Sequence, residues 1–269
     1  MKNPKITLVA VVALAALALT GCSSAGAAGK DDSLTKVQQA GTLTVGTEGT
    51  YRPFSYHAGG SGKLTGYDVE VVQAVAKKLG VSATFQETQW DAIFAGLTAH
   101  RFDVIANQVS ITPERQASYV FSTPYTYSKG VIVVPQDNTS ITSFGSLKGK
   151  TTAQSLTSEW YALAQKSGAK VQGVEGWSQS VALVEQGRVD ATVNDKLTFL
   201  DYKKQTGAKG LKVAAESEAT SRSALAFAKG GSALAKASSK ALDALAADGT
   251  LTRLSEKYFG ADVSVDAAK

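Results

Sequence analysis

Two windows of this chain repeat one spacing. Trp90, Arg101, Asp103 and Asn107 recur as Trp177, Arg188, Asp190 and Asn194, separated in both copies by 11, 2 and 4 positions. In each window an apolar stretch of helical period follows the tryptophan, the arginine falls in a turn, and the aspartate leads an apolar run that the asparagine closes. A helix, a basic turn and a buried strand are therefore expected twice. Such a chain is constrained to two α/β lobes of similar build, with any ligand at the C-terminal ends of their strands.

The flanking sequence extends both units. Ahead of the first window, 42–46 and 83–86 predict short strands, and 67–79 predicts a helix with Val71, Val72, Val75 and Leu79 on one face and Gly80 beyond its end. The windows themselves predict helices at 90–99 and 178–186 and strands at 102–107 and 189–193. Between and after them, 131–134, 151–154 and 171–174 read as strands, and 158–165 and 196–204 as helices. This alternation predicts parallel strands with crossover helices. A further strand at 223–228 precedes helices at 232–246 and 250–259, broken at Asp248-Gly249. Exit from the first lobe near Ser128 and return near Phe227 leaves two extended connections, a hinge that permits closure while limiting twist. The expected division is 33–128 with 227–262 as the first lobe, 129–226 as the second, and 263–269 as a C-terminal tail.

Ahead of the lobes, Lys2 and Lys5 flank the start of an apolar run of 14 residues, 6–19, too short to span a bilayer permanently. It leads into Leu19-Thr20-Gly21-Cys22, which resembles a bacterial lipobox, in which the cysteine is acylated and becomes the mature N-terminus. Cys22 is the only cysteine, so no internal disulfide can form. Residues 1–21 are thus expected to be a lipoprotein signal peptide and 22–32 a flexible tether. The mature protein is expected to be an extracytoplasmic monomer, lipid-anchored to the outer face of the cell membrane. Loss of Lys2 and Lys5 lowers the formal net charge of +5 by two, to +3, and the remaining cations are scattered. Without a basic stripe interleaved with aromatics, nucleic acid is not an expected partner.

The first window's strand leads into Ser110-Ile111-Thr112-Pro113-Glu114-Arg115. Thr112 as a cap and Pro113 at the first helical position would fix Arg115 above the strand end. Its planar donor fork suits two-point contact with a carboxylate or phosphate; neutralisation by Glu114 or Asp103 is the alternative. Glu48-Gly49-Thr50-Tyr51 follows the first strand to the same edge, and Tyr51 and Trp90 are placed to stack on a ligand. In the second lobe, the N–H groups and hydroxyls of Ser155-Leu156-Thr157-Ser158 suit a carboxylate. Asp195, just past the second terminal asparagine, would oppose Arg115 and complete a charge pair for a zwitterion, carboxylate to Arg115 and ammonium to Asp195. Its alternative is to cap the helix that starts at Lys196.

Several of these stretches together resemble the solute-binding proteins of polar amino-acid ABC importers, family 3: Gly46-Thr47-Glu48-Gly49-Thr50-Tyr51-Arg52-Pro53-Phe54, Gly66-Tyr67-Asp68-Val69, Phe102-Asp103-Val104-Ile105, Ser110-Ile111-Thr112-Pro113-Glu114-Arg115 and Phe121-Ser122-Thr123-Pro124-Tyr125. Glu87-Thr88-Gln89-Trp90, Ala153-Gln154-Ser155-Leu156-Thr157-Ser158 and Val193-Asn194-Asp195-Lys196 are similar to the cystine-binding branch. The resemblance implies a bilobal Venus-flytrap fold of the type II periplasmic-binding class. It also implies an amino-acid ligand and a permease with its ATPase as partners. Arg115, Ser110 and Thr157 would hold the carboxylate, Asp195 the ammonium, and Tyr51 and Trp90 would flank the side chain, with Glu48, Leu156 and Ser158 nearby. Where the family often has a small residue or a serine pair, this chain has Asn107-Gln108, which favours a larger polar ligand.

Two rivals share the fold. A sensor that presents its ligand to a receptor would use the same cleft residues. A dehydratase-like enzyme would need a tuned acid or base, for which Glu48 is the one candidate. His57 and His100 are the only histidines, and they fall in a loop and at a helix end. With no Ser-His-Asp set, metal-ligand cluster or phosphate loop, neither enzymatic activity nor a cofactor nor a metal is expected.

Overall fold

The computed structural model describes residues 31–266. The expected signal peptide, Cys22, all but the end of the tether and the last residues of the tail lie outside the described residues. The first lobe opens with α1 (Ser33–Ala40) and β1 (Thr42–Thr47). Three short strands, β2 (Thr50–Tyr51), β3 (Ser55–His57) and β4 (Leu64–Thr65), form a small antiparallel sheet. Then come α2 (Tyr67–Lys78), β5 (Ser82–Glu87), α3 (Trp90–Thr98), β6 (Val104–Ser110), α4 (Pro113–Ser118) and β7 (Tyr119–Phe121). β8 (Thr126–Pro135) crosses to the second lobe, which holds β9 (Thr151–Gln154), α5 (Glu159–Lys166), β10 (Lys170–Gly173), α6 (Trp177–Glu185), β11 (Thr192–Asp195) and α7 (Lys196–Thr206). β12 (Leu211–Ala228) returns, and α8 (Ser232–Ala247) and α9 (Thr250–Phe259) complete the first lobe.

A seven-stranded sheet runs β11-β8-β12-β6-β1-β5, with β7 beside β12. β1 lies parallel to both β5 and β6, and β9 is parallel to β10. β8 and β12 are the two hinge segments, paired antiparallel from Leu211 opposite Pro135 to Ser223 opposite Thr126, so the lobes share one sheet. The length of β12, 18 residues, exceeds the expected 223–228. Its first two-thirds carry no apolar period, and hydrogen bonding to β8 makes a strand of them.

Each lobe buries apolar side chains on both faces of its strands. β8 shows this most simply, because Val131 and Val133 join one core of the second lobe while Ile132 and Val134 join the other. The period of two sends alternate residues to opposite faces, and both faces are covered. In the first lobe, Val72, Val104 and Leu242 fill one core, and Ile93, Phe102 and Ile105 the other.

The repeated residues occupy matching geometry. Asp103 accepts from the backbone N–H of Thr44 at 2.8 Å, and its own N–H donates to the Thr44 carbonyl. Asp190 does the same with Thr151, its carboxylate accepting at 2.7 Å. Each aspartate thus fastens its strand to the first strand of its own lobe. Arg101 and Arg188 both donate backbone N–H groups 2.9 Å to the carbonyl five residues back, Gly96 and Leu183. The repeat is therefore architectural, and it delivers Asn107 and Asn194 to equivalent strand ends.

Candidate functional site

At the first lobe's strand ends, Asn107 organises the loop after β1. Its Oδ1 accepts from the Glu48 N–H at 2.8 Å and the Thr47 hydroxyl at 3.1 Å, and its Nδ2 donates to Glu48 Oε2 at 2.5 Å. Gly49, at φ +74, turns the chain away immediately after. Burial pushes the Glu48 carboxyl up to about 7, Glu175 and Asp91 add to this, and the Asn107 hydrogen bond opposes it.

Gln108 sits at φ +50, in the left-handed region that side chains other than glycine rarely adopt. Asp68 holds it there, accepting from the Gln108 N–H at 2.7 Å and from Nε2 at 2.6 Å. Asp68 is fully buried, and burial raises its carboxyl to about 6. An ionised carboxylate accepts only, so Nε2 must face Asp68, which leaves Gln108 Oε1 buried without a partner.

Thr112 caps α4 as expected, accepting from the Arg115 N–H at 3.2 Å. Arg115 lies against Trp90 and Phe94, its guanidinium carbon 5.3 Å from each ring centre. Its Nη1 donates to the Ser110 carbonyl and its Nη2 to the Thr157 carbonyl in the other lobe, both at 3.1 Å. Neither Glu114 nor Asp103 pairs with it among the described residues.

The second lobe meets the first at several points. Asp91 accepts from the hydroxyls of Thr157 at 2.5 Å and Ser155 at 3.0 Å. Glu159 Oε1 accepts from Ser110 at 2.5 Å and from Ser221 of β12 at 2.6 Å. Tyr51 donates to Asn194 Oδ1 at 3.2 Å and accepts from Thr198 at 3.1 Å. Arg52 pairs with Asp201 at 3.3 Å. The lobes are closed on one another.

Between them lies a partly open cleft lined by both lobes. It brings together Glu48, Tyr51, Trp90, Asn107, Gln108, Ser110, Arg115 and Ser158. Three expected residues do not line it. Leu156 is 50% exposed at the lip, Thr157 is spent on the closing contacts with Asp91 and Arg115, and Asp195 is turned inward. Asp195 takes the capping role, accepting from the Leu197 N–H at 2.7 Å and from Ser128 at 2.9 Å. Burial, opposed by the hydrogen bonds from Ser128 and Leu197 and helped by neighbouring Glu159, raises its carboxyl to about 7. The acid that faces the cleft beside Arg115 is instead Glu159. Ser158 caps α5, accepting from Tyr161 N–H at 3.1 Å, and this places Glu159 at the first helical position.

Ser155, expected with its neighbours to suit a carboxylate, lines the cleft, and so do residues not expected there as ligand contacts: Gln154, Glu159, Trp160, Glu175, Gly176, Trp177, Ser180 and Asn194. The repeat held the signal for some of them, because Trp177 and Asn194 match Trp90 and Asn107. Glu175 and Gly176 precede α6 and carry no such signal. Among the described residues no group of three or more His, Cys, Asp or Glu side chains could hold a metal ion, and no helix is long and apolar enough to cross a membrane.

A model of the bacterial extracellular solute-binding proteins, family 3, matches residues 43–261. The L-cystine-binding protein TcyA of Bacillus subtilis is 48% identical over 98% of this chain and 100% of its own length. The L-cystine solute receptor of Neisseria gonorrhoeae, solved unliganded and open, is 48% identical, covers 87% of this chain and 99% of its own, and superposes with a TM-score of 0.61. An ancestral arginine-binding protein bound to arginine is 37% identical over 82% of this chain and 99% of its own, with a TM-score of 0.77. Identity and overall similarity thus run in opposite directions. The more identical structure was solved open and the less identical one with arginine bound.

Proposed function

The chain belongs to the bacterial extracellular solute-binding proteins, family 3, amino-acid-binding proteins of ABC importers, and we propose that within this family it captures L-cystine by lobe closure and delivers it to a membrane permease driven by an ATPase. The observation that carries the reading is a closed cleft in which Arg115, a guanidinium without a carboxylate partner among the described residues, faces Glu159 across Ser110. A ligand carboxylate on Arg115 and an ammonium on Glu159 would pair both of these charges. Tyr51 and Trp90 would flank the side chain, with Glu48, Gln108 and Ser158 completing the cleft. The names of the L-cystine-binding relatives support the choice of ligand. Capture would be a population shift toward the closed form, and that form would dock on the permease. The lobes would divide at 128/129 and 226/227, and the protein would act as a monomer lipid-anchored through Cys22 on the outer face of the membrane. It would bind and not transform its ligand.

Calorimetric titration with a panel of polar amino acids tests this. L-cystine should give a saturable single-site isotherm tighter than arginine or glutamine. No binding by any amino acid would overturn the reading, and tighter binding of arginine would overturn the ligand.

A further inference from the structure

A buried polar atom without a partner calls for an explanation, and where it belongs to a cleft-lining residue a ligand group can supply one. Among the described residues, four such atoms belong to cleft-lining side chains: the donors Trp90 Nε1 and Gln154 Nε2, and the acceptors Gln108 Oε1 and Glu175 Oε1. Gln154 is 2% exposed, and its orientation is set because Thr152 donates to its Oε1 at 3.0 Å. Gln154 ends β9, its carbonyl accepts from the Val174 N–H at 3.1 Å, and Gly173 pairs with it in β10. Glu175 therefore rises from the adjacent strand end, beside the uncapped start of α6 at Gly176. Glu48 comes to the same place from the first lobe, its Oε1 4.0 Å from where a Cβ on Gly176 would sit. Of the cleft's acids, Glu159 lies near Arg115 and Glu175 near Glu48.

We propose that Gln154 and Glu175 of the second lobe, facing Glu48 of the first, form a subsite for a second amino-acid head group, so that the cleft grips a two-headed ligand at both ends. The inference rests on the L-cystine reading and deepens it. Chemistry chooses among distal groups. A guanidinium brings donors only, which would satisfy Glu48 and Glu175 and leave the Gln154 donor orphaned. A carboxamide has an acceptor for Gln154 but no charge for the two acids. A second ammonium and carboxylate satisfy all three, with the first N–H groups of α6 available to the carboxylate.

The test is calorimetry on the full chain with L-cystine, with single-headed S-methyl-L-cysteine, and with the mixed disulfides of L-cysteine with cysteamine and with 3-mercaptopropionate, which lack the second carboxylate and the second ammonium respectively. On the unaltered chain both mixed disulfides should bind more weakly than L-cystine by about thirty-fold or more, the cost of leaving a buried polar partner unpaired. Glu175→Gln and Gln154→Ala should each weaken L-cystine while leaving S-methyl-L-cysteine unchanged, and this retained binding reports that the variants fold. Equal affinity of L-cystine and the mixed disulfides for the unaltered chain, or a parallel loss of both amino acids in the variants, would overturn the subsite. Tight S-methyl-L-cysteine binding with L-cystine no tighter overturns the subsite alone, whereas no L-cystine binding overturns the ligand reading with it.

Discussion

The strand ends Asp103 to Gln108 and Asp190 to Asp195 begin alike and finish differently. Both aspartates clamp the first strand of their lobe, and both asparagines hold the loop after β1, Asn107 through Glu48 and Asn194 through the Tyr51 hydroxyl. One residue later the copies part. Gln108 bends into the left-handed region under Asp68, and β6 continues to Ser110 toward Arg115. Asp195 ends β11 and caps α7. One scaffold therefore presents a fixed cation from the first lobe, while the second spends its equivalent position on structure and sends its acid, Glu159, from a different loop. Similar lobes do not supply similar jaws.

The largest effect should come from removing the fixed cation. Arg115→Ala is expected to weaken L-cystine binding about a hundred-fold or more, as truncating one partner of a buried charge pair does. Calorimetry would show it, and unchanged affinity would make Arg115 a closing contact to Thr157 and nothing more.

Acidity should act on the two lobes together. Glu48 and Asp195 titrate near 7 and Asp68 near 6, all above their ordinary values. Between about pH 4 and 7 the folded chain binds protons that the unfolded chain has released, so the stability from these acids is full below that window and is lost as pH rises through it. The unliganded protein should melt at a higher temperature at pH 5.5 than at pH 7.5. Ligand affinity should move the other way, because an ammonium needs ionised acids. Parallel trends in melting and affinity would contradict the assignment.

The smallest effects should test the shared scaffold. Asp103→Ala and Asp190→Ala each remove a carboxylate that accepts a backbone N–H and should cost a similar ~1 kcal/mol in denaturant unfolding, without altering affinity. Markedly unequal costs would mean that the repeat is one of sequence only.

Much of this was legible beforehand, because apolar period, caps and the repeat are local signals. β9 and α9 fall at their expected bounds, and the Thr112-Pro113 start of α4 holds Arg115 as the residue types require. What escaped depends on partners distant in sequence. The outer part of β12 is a strand because β8 lies beside it, and Glu159 and Glu175 line a cleft whose other wall comes from residues far away in sequence. Asp195 was readable in two ways, as jaw or as cap, and no residue near it in sequence decides between them. Its burial beside Ser128, distant in sequence, does.

Closure on the ligand is the central claim, and small-angle X-ray scattering with and without L-cystine tests it directly. The account predicts an expanded unliganded particle whose radius of gyration falls on saturation to that of the closed arrangement, and no such change for Arg115→Ala. Scattering curves that coincide with and without bound L-cystine would contradict it.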